Sequence, residues 1–107
     1  MARMKRENKR KEIRKDLMNQ LKRNRISTQY YIDLVEKYMD FWDIENDLID
    51  DIRERGVVVT YDNGGGQKGI KKNDSIDQRI KVSAQMLKIL DSLGIKPTES
   101  EADDDEL

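Results

Sequence analysis

The sequence predicts a mostly α-helical protein: an antiparallel helical hairpin joined by a β-hairpin, with a basic helix in front and a homo-oligomer as the assembled form. Three observations predict it. Residues 28–55 carry apolar side chains at i, i+3, i+4 and i+7, residues 57–72 hold two strand-like runs around a glycine cluster, and residues 75–93 return to the helical period. The chain has 107 residues, enough for one domain, and its 36% hydrophobic content against 40% charged leaves no thick core. Elongated helices that self-associate satisfy that balance.

The long helix organises the rest. Tyr31, Leu34, Val35, Tyr38, Phe41, Trp42, Leu48, Ile49 and Ile52 fall within one arc at 100° per residue. Ser27 and Thr28 offer an N-cap, and Gly56 supplies the left-handed stop. The opposite face is acidic, with Asp33, Glu36, Asp40, Asp43, Asp47, Asp50, Asp51 and Glu54. A rise of 1.5 Å per residue makes the helix about 40 Å long, so something must cover its apolar face from end to end.

Past Gly56, the β-branched or aromatic run Val57, Val58, Val59, Thr60, Tyr61 meets Asp62-Asn63-Gly64-Gly65-Gly66 and then Gln67 to Lys72, a hairpin with turn residues at its tip. A phosphate-loop reading fails because Gly69 is followed by Ile70 and not by Lys-Ser. Lys68, Lys71 and Lys72 leave a second nucleic-acid contact open. Asn73, Asp74 and Ser75 are all N-cap residue types for the next helix, which Gly94 ends and Pro97 keeps ended. Its apolar residues, Ile80, Met86, Leu87 and Leu90 among them, cover more than half of the wheel. Two antiparallel helices cannot bury so much apolar arc on each other, and half a dozen such side chains sheltered in neighbouring subunits would favour assembly by roughly 9–18 kcal/mol before entropy costs. The predicted oligomerisation set is therefore Tyr31, Leu34, Val35, Tyr38, Phe41, Trp42, Leu48, Ile49, Ile52, Ile80, Met86, Leu87 and Leu90. Glu45, inside the apolar arc, and Arg53, at its edge, read as rim residues in interface ion pairs that set register.

Charge divides the chain into three parts. Residues 1–25 hold 11 Lys+Arg against 3 Asp+Glu, residues 26–95 hold 9 against 13, and residues 96–107 hold 1 against 6. The expected domains follow: a basic DNA-binding arm at 1–25, a helical oligomerisation core at 26–95, and an acidic, disordered tail at 96–107. In the arm, Arg3, Lys5, Arg6, Lys9, Arg10, Lys11, Arg14, Lys15, Lys22, Arg23 and Arg25 would repel one another unless a polyanion neutralised them, which points to the DNA phosphate backbone. Only Ile13, Leu17, Met18 and Leu21 can dock this segment, so a mobile arm ordered by DNA is expected. The tail residues Glu99, Glu101, Asp103, Asp104, Asp105, Glu106 and Leu107 read as a docking peptide for a basic partner surface, or as a solubilising tail.

Catalytic constellations are missing. With no Cys and no His, thiol nucleophiles, histidine bases and thiolate zinc sites are excluded. The carboxylates form a convex helical stripe, whereas a two-metal nuclease needs them converging in a dry cleft. No metal and no cofactor is expected. No apolar run approaches the ~20 residues of a membrane span, and charge without an apolar stretch at the N-terminus argues against secretion, so a cytoplasm is the expected location.

The order and spacing of several pieces carry a resemblance. They are Tyr-Met-Asp-Phe-Trp-Asp at 38–43, Leu-Ile-Asp-Asp-Ile-Arg-Glu-Arg-Gly at 48–56, Tyr-Asp-Asn-Gly-Gly-Gly-Gln-Lys-Gly at 61–69, Lys-Asn-Asp-Ser at 72–75 and Gln-Met-Leu-Lys-Ile-Leu at 85–90. In these the chain resembles the phage terminase small subunit, of the short type found in tailed phages and prophages of Gram-positive bacteria. The resemblance implies a non-catalytic ring adaptor in the host bacterial cytoplasm that recognises the packaging site on viral DNA and recruits the large ATPase–nuclease subunit. On this chain it would place the ring in residues 28–55 and 75–93, the phosphate contacts in 3–25, and the large-subunit dock in 99–107. Residues 1–25 are too short for a helix-turn-helix, so specificity would come from DNA shape or from wrapping around a ring. Two rivals stay open: a helical interaction protein whose arm neutralises its own tail, and a dimeric, repressor-like DNA-binding regulator.

Overall fold

The computed structural model describes residues 5–95. Helix α1 (Arg6–Arg23) is followed by α2 (Gln29–Arg55), the strands β1 (Val58–Asp62) and β2 (Lys68–Lys72), and α3 (Asp74–Leu93). The protein is mostly helical, with a single two-stranded antiparallel sheet among the described residues. The chain divides into two compact units, and α2 and α3 each contribute to both.

The first unit holds residues 5–39 and 87–95, that is α1, the start of α2 and the end of α3. Its core is built from helical i, i+4 pairs: Leu17 with Leu21 on α1, and Val35 with Met39 on α2, joined by Leu93 of α3. Leu21 is 1% exposed. The sequence suggested an arm that only DNA would order, yet α1 is an 18-residue helix with a seated apolar pair. An isolated helix of that length is marginal in water, and burying two leucines adds about 3–6 kcal/mol, which accounts for the difference. The helix ends in a double hydrogen-bonded cap, Ile26 N–H to Leu21 O at 2.9 Å and Arg25 N–H to Lys22 O at 3.0 Å. That cap puts Arg25 in the left-handed region, φ 57°, where a residue with a Cβ is strained. The end of α3 uses the same motif with Gly94 at φ 70° and Ile95 N–H bonded to Leu90 O at 3.1 Å.

The second unit, residues 40–86, holds the end of α2, the β-hairpin and the start of α3. Trp42, Val82 and Met86 are its buried apolar residues. Ser75 Oγ donates to Asp51 Oδ2 at 2.6 Å, and Ser83 Oγ donates to Glu45. Later residues on α3 thus meet earlier ones on α2, so within this unit the helices run antiparallel as predicted. Glu45 has its hydrogen-bond partner in its own chain. Between the helices, the strands pair from Val58↔Lys72 to Asp62↔Lys68. Gly64, Gly65 and Gly66, all at positive φ, turn the tip, and Asp62 Oδ1 accepts from Gly64 N–H at 2.8 Å. Residues Val57, Val58 and Ile70 are exposed on this ribbon.

Asn73 ties the base of the hairpin to both helices. It is 0% exposed, and its own N–H donates to Val57 O at 2.8 Å. As N-cap of α3, Asn73 Oδ1 accepts from Ser75 N–H at 3.0 Å, and it also accepts from Arg55 Nη2 at 3.1 Å. Its Nδ2 donates to Gly56 O at 3.0 Å, a carbonyl at the end of α2, and to Asp51 Oδ2 at 3.2 Å. Arg55 closes the network by donating to both oxygens of Asp51, at 2.7 and 2.8 Å. The Arg55 hydrogen bonds, then that of Ser75, then that of Asn73, outweigh partial burial and hold the Asp51 carboxyl far below the usual carboxylate range. The Arg55 guanidinium is held more firmly protonated in turn, first through its hydrogen bond to Asp51.

A pH dependence follows. Because the folded pKa lies below the unfolded value near 3.9, the contribution of Asp51 is complete above about pH 4 and is lost as pH falls toward the folded value. Thermal melts of the protein and of Asp51→Asn are expected to differ most at pH 5–7, and the gap should narrow between pH 4 and pH 2. A constant gap across that range would show that the ionised carboxylate is not what the network stabilises.

Candidate nucleic-acid interface

The cations of α1 are sorted by the seat of the helix. With Leu17 and Leu21 facing inward, a 100° step places Lys11, Lys15 and Lys22 within about 40° of one another on the outward side, with Arg23 on its flank. Lys5, Arg6, Lys9, Lys11, Arg14, Lys15, Lys22, Arg23 and Arg25 are all exposed, and Arg10 is half-buried. Arg14 Nε is held by Glu36 of α2 at 2.6 Å, and Arg6 and Arg10 also have partners within the protein. Lys11, Lys15 and Lys22 make no ion pair among the described residues. They span about 16 Å along the axis, and Lys22 and Arg23 stand in the last turn, where the helix dipole favours cations. Such a row of ammonium groups can hold phosphate oxygens as point charges, which fixes position and does not read bases. Arg3 lies outside the described residues.

The lysines of the hairpin are placed differently. Lys72 Nζ sits 2.9 Å from Asp77 Oδ1, and Lys71 Nζ sits 3.5 Å from Asp74 Oδ2, so both are engaged with acids in the first turn of α3. Lys68 is exposed near the tip. The three are together on one ribbon, but two of their charges are locally balanced.

Of the residues predicted to join subunits, Val35, Trp42 and Met86 are buried within the protomer. Tyr31, Leu34, Tyr38, Phe41, Leu48, Ile49, Ile52 and Leu90 are half-buried. Ile80 and Leu87 are 64% and 67% exposed, and their i, i+7 spacing puts them on one stripe of α3 with the exposed Ala84 between them. Sequence reading missed Met39, which is fully buried although its spacing from Val35 and Trp42 marks it as core. It also passed over Tyr30, 70% exposed and edge-on to Tyr31 at 5.6 Å, and Ile44, exposed on α2. Glu99, Glu101, Asp103, Asp104, Asp105, Glu106 and Leu107 lie outside the described residues. Among the described residues no group of carboxylates is arranged to hold a metal ion, and no helix is long and apolar enough to cross a membrane.

A family model described as phage terminase, small subunit, matches residues 11–102, which takes in most of α1, all of α2, the hairpin and α3. The chain belongs to the phage terminase small-subunit family. No curated protein and no solved structure matches it. Membership places this small subunit in phage DNA packaging, in a family that is generally non-catalytic and that associates with viral DNA and a large terminase subunit.

Proposed function

We propose that this small subunit is a non-catalytic, ring-forming adaptor that binds viral DNA at the packaging site and recruits the large ATPase–nuclease subunit in the host bacterial cytoplasm. The observation that carries the proposal is the outward row Lys11, Lys15 and Lys22, on a helix anchored by Leu17 and Leu21 within the span of the family match. Phosphate contacts by the exposed Lys5, Lys9, Arg23 and Arg25 add to those of the row, and Lys68 at the hairpin tip adds a second contact. The acidic tail from Glu99 to Leu107 is the dock for the large subunit. The exposed stripe of Ile80 and Leu87 gives each copy an apolar surface to offer a neighbour, which is what a ring requires.

The test of the whole reading is reconstitution of the small subunit, the large subunit of the same phage and a duplex carrying its packaging site. A ternary complex that forms only when the small subunit is present supports the adaptor. If the large subunit engages the duplex equally well alone, the adaptor role fails. For assembly, replacing Ile80 and Leu87 together by Asp is expected to dissociate the oligomer while leaving the helical circular dichroism intact, because both side chains already face water in the protomer. An unchanged mass by light scattering would move the interface elsewhere.

A further inference from the structure

We infer that the acidic segment 96–107 lies along the outward cationic face of α1 in its own chain and competes there with DNA phosphate. The inference rests on the reading of α1 as the DNA-holding face. Four observations lead to it.

First, α1 and the end of α3 belong to the same compact unit. The end of α3 is itself fixed, since Leu93 is 2% exposed and the Gly94 and Ile95 amides are bonded back to Asp91 and Leu90. Second, residues 96–107 carry six carboxylates and one lysine. On α1, Lys11, Lys15 and Lys22 carry charge that no described acid balances, whereas Lys71 and Lys72 of the hairpin are already paired. Third, twelve residues reach up to about 40 Å, whereas α1 is about 27 Å long, so the segment can follow the helix over its whole length. Fourth, tethering to the same compact unit by a short segment gives an effective concentration in the millimolar range, so even a contact with a Kd of about 1 mM would be substantially occupied.

Competition between like polyanions then follows. DNA must displace the segment before it can release its own counterions, and a non-specific duplex does so less readily than one held by many subunits at once. The same acids form the proposed dock for the large subunit. Engagement of the tail by that partner and masking of α1 therefore exclude each other, and recruitment of the large subunit would uncover the DNA face.

The test compares the full-length chain with a full-length variant carrying Glu99→Gln, Glu101→Gln, Asp103→Asn, Asp104→Asn, Asp105→Asn and Glu106→Gln. By anisotropy of a labelled duplex, the variant is expected to bind on the order of tenfold more tightly in 50 mM salt, with the difference closing near 300 mM as screening takes over. A second readout needs no DNA: carbodiimide crosslinking at low salt should join the tail carboxylates to Lys11, Lys15 or Lys22 of the same chain, with isotopically mixed subunits separating contacts within a chain from those between chains. Equal affinities overturn the masking, as do crosslinks that fall on Lys68, Lys71 and Lys72 or only between chains. If neither protein binds the duplex, it is the DNA reading of α1 that fails, and the crosslinks alone decide whether the segment lies on the helix.

Discussion

Reversing Lys11, Lys15 and Lys22 to Glu is expected to remove most DNA binding while leaving fold and assembly unchanged. The three side chains are exposed, so their replacement uncovers no core and leaves no buried partner unpaired. Their loss should appear in the salt dependence before anything else. Each phosphate contact contributes about 0.9 to the slope of log K against log salt, so losing three should flatten it by about 2.7. A drop in affinity with an unchanged slope would mean that the variant damaged something other than phosphate contacts. Deleting residues 1–25 would be a poorer experiment, because Leu17 and Leu21 go with them and open the core of the first unit.

The largest effect on stability is expected at Asn73. Asn73→Ala removes the N-cap of α3 and leaves the Gly56 carbonyl and the Asp51–Arg55 pair without the side-chain amide that joins them. A lost cap costs about 1 kcal/mol and an unsatisfied buried group about 1–3, so about 2–4 kcal/mol in all is expected by denaturant unfolding. Asn73→Asp separates the two parts of the effect. It keeps an acceptor for the Ser75 amide but sets a second carboxylate against Asp51 in place of a donor, so it should also destabilise strongly. If Asn73→Asp matched the native protein, the residue would be acting as a cap and nothing more.

How much of this was legible in the sequence varies with the range of the interaction. The long helix, its stop at Gly56, the hairpin with its tip at Gly64–Gly66 and the start of α3 at Asn73–Ser75 are local consequences of period and turn chemistry, and all are found. The Asn73 network was out of reach because its partners Asp51 and Arg55 lie 22 and 18 residues away. Asp51 looked like one more acid on a solvated stripe until the fold brought Ser75 to it. The apolar arcs told which residues avoid water but not where each does so. Val35, Met39 and Trp42 turn inward within the protomer, while Ile80 and Leu87 on the second helix are left outside. For the cationic face of α1, composition marked residues 1–25 as one cationic arm. Only the seat at Leu17 and Leu21 separates the outward row from Arg14, which α2 already holds through Glu36.

Native mass spectrometry of the protein, alone and with a packaging-length duplex, tests most directly the proposed closed oligomer that holds DNA on the outward face of α1. The expected result is one closed species of more than two chains, stable on dilution, that takes up the duplex at low salt and releases it as salt rises. A monomer or simple dimer at every concentration would contradict the account, and so would a ring that ignores the duplex.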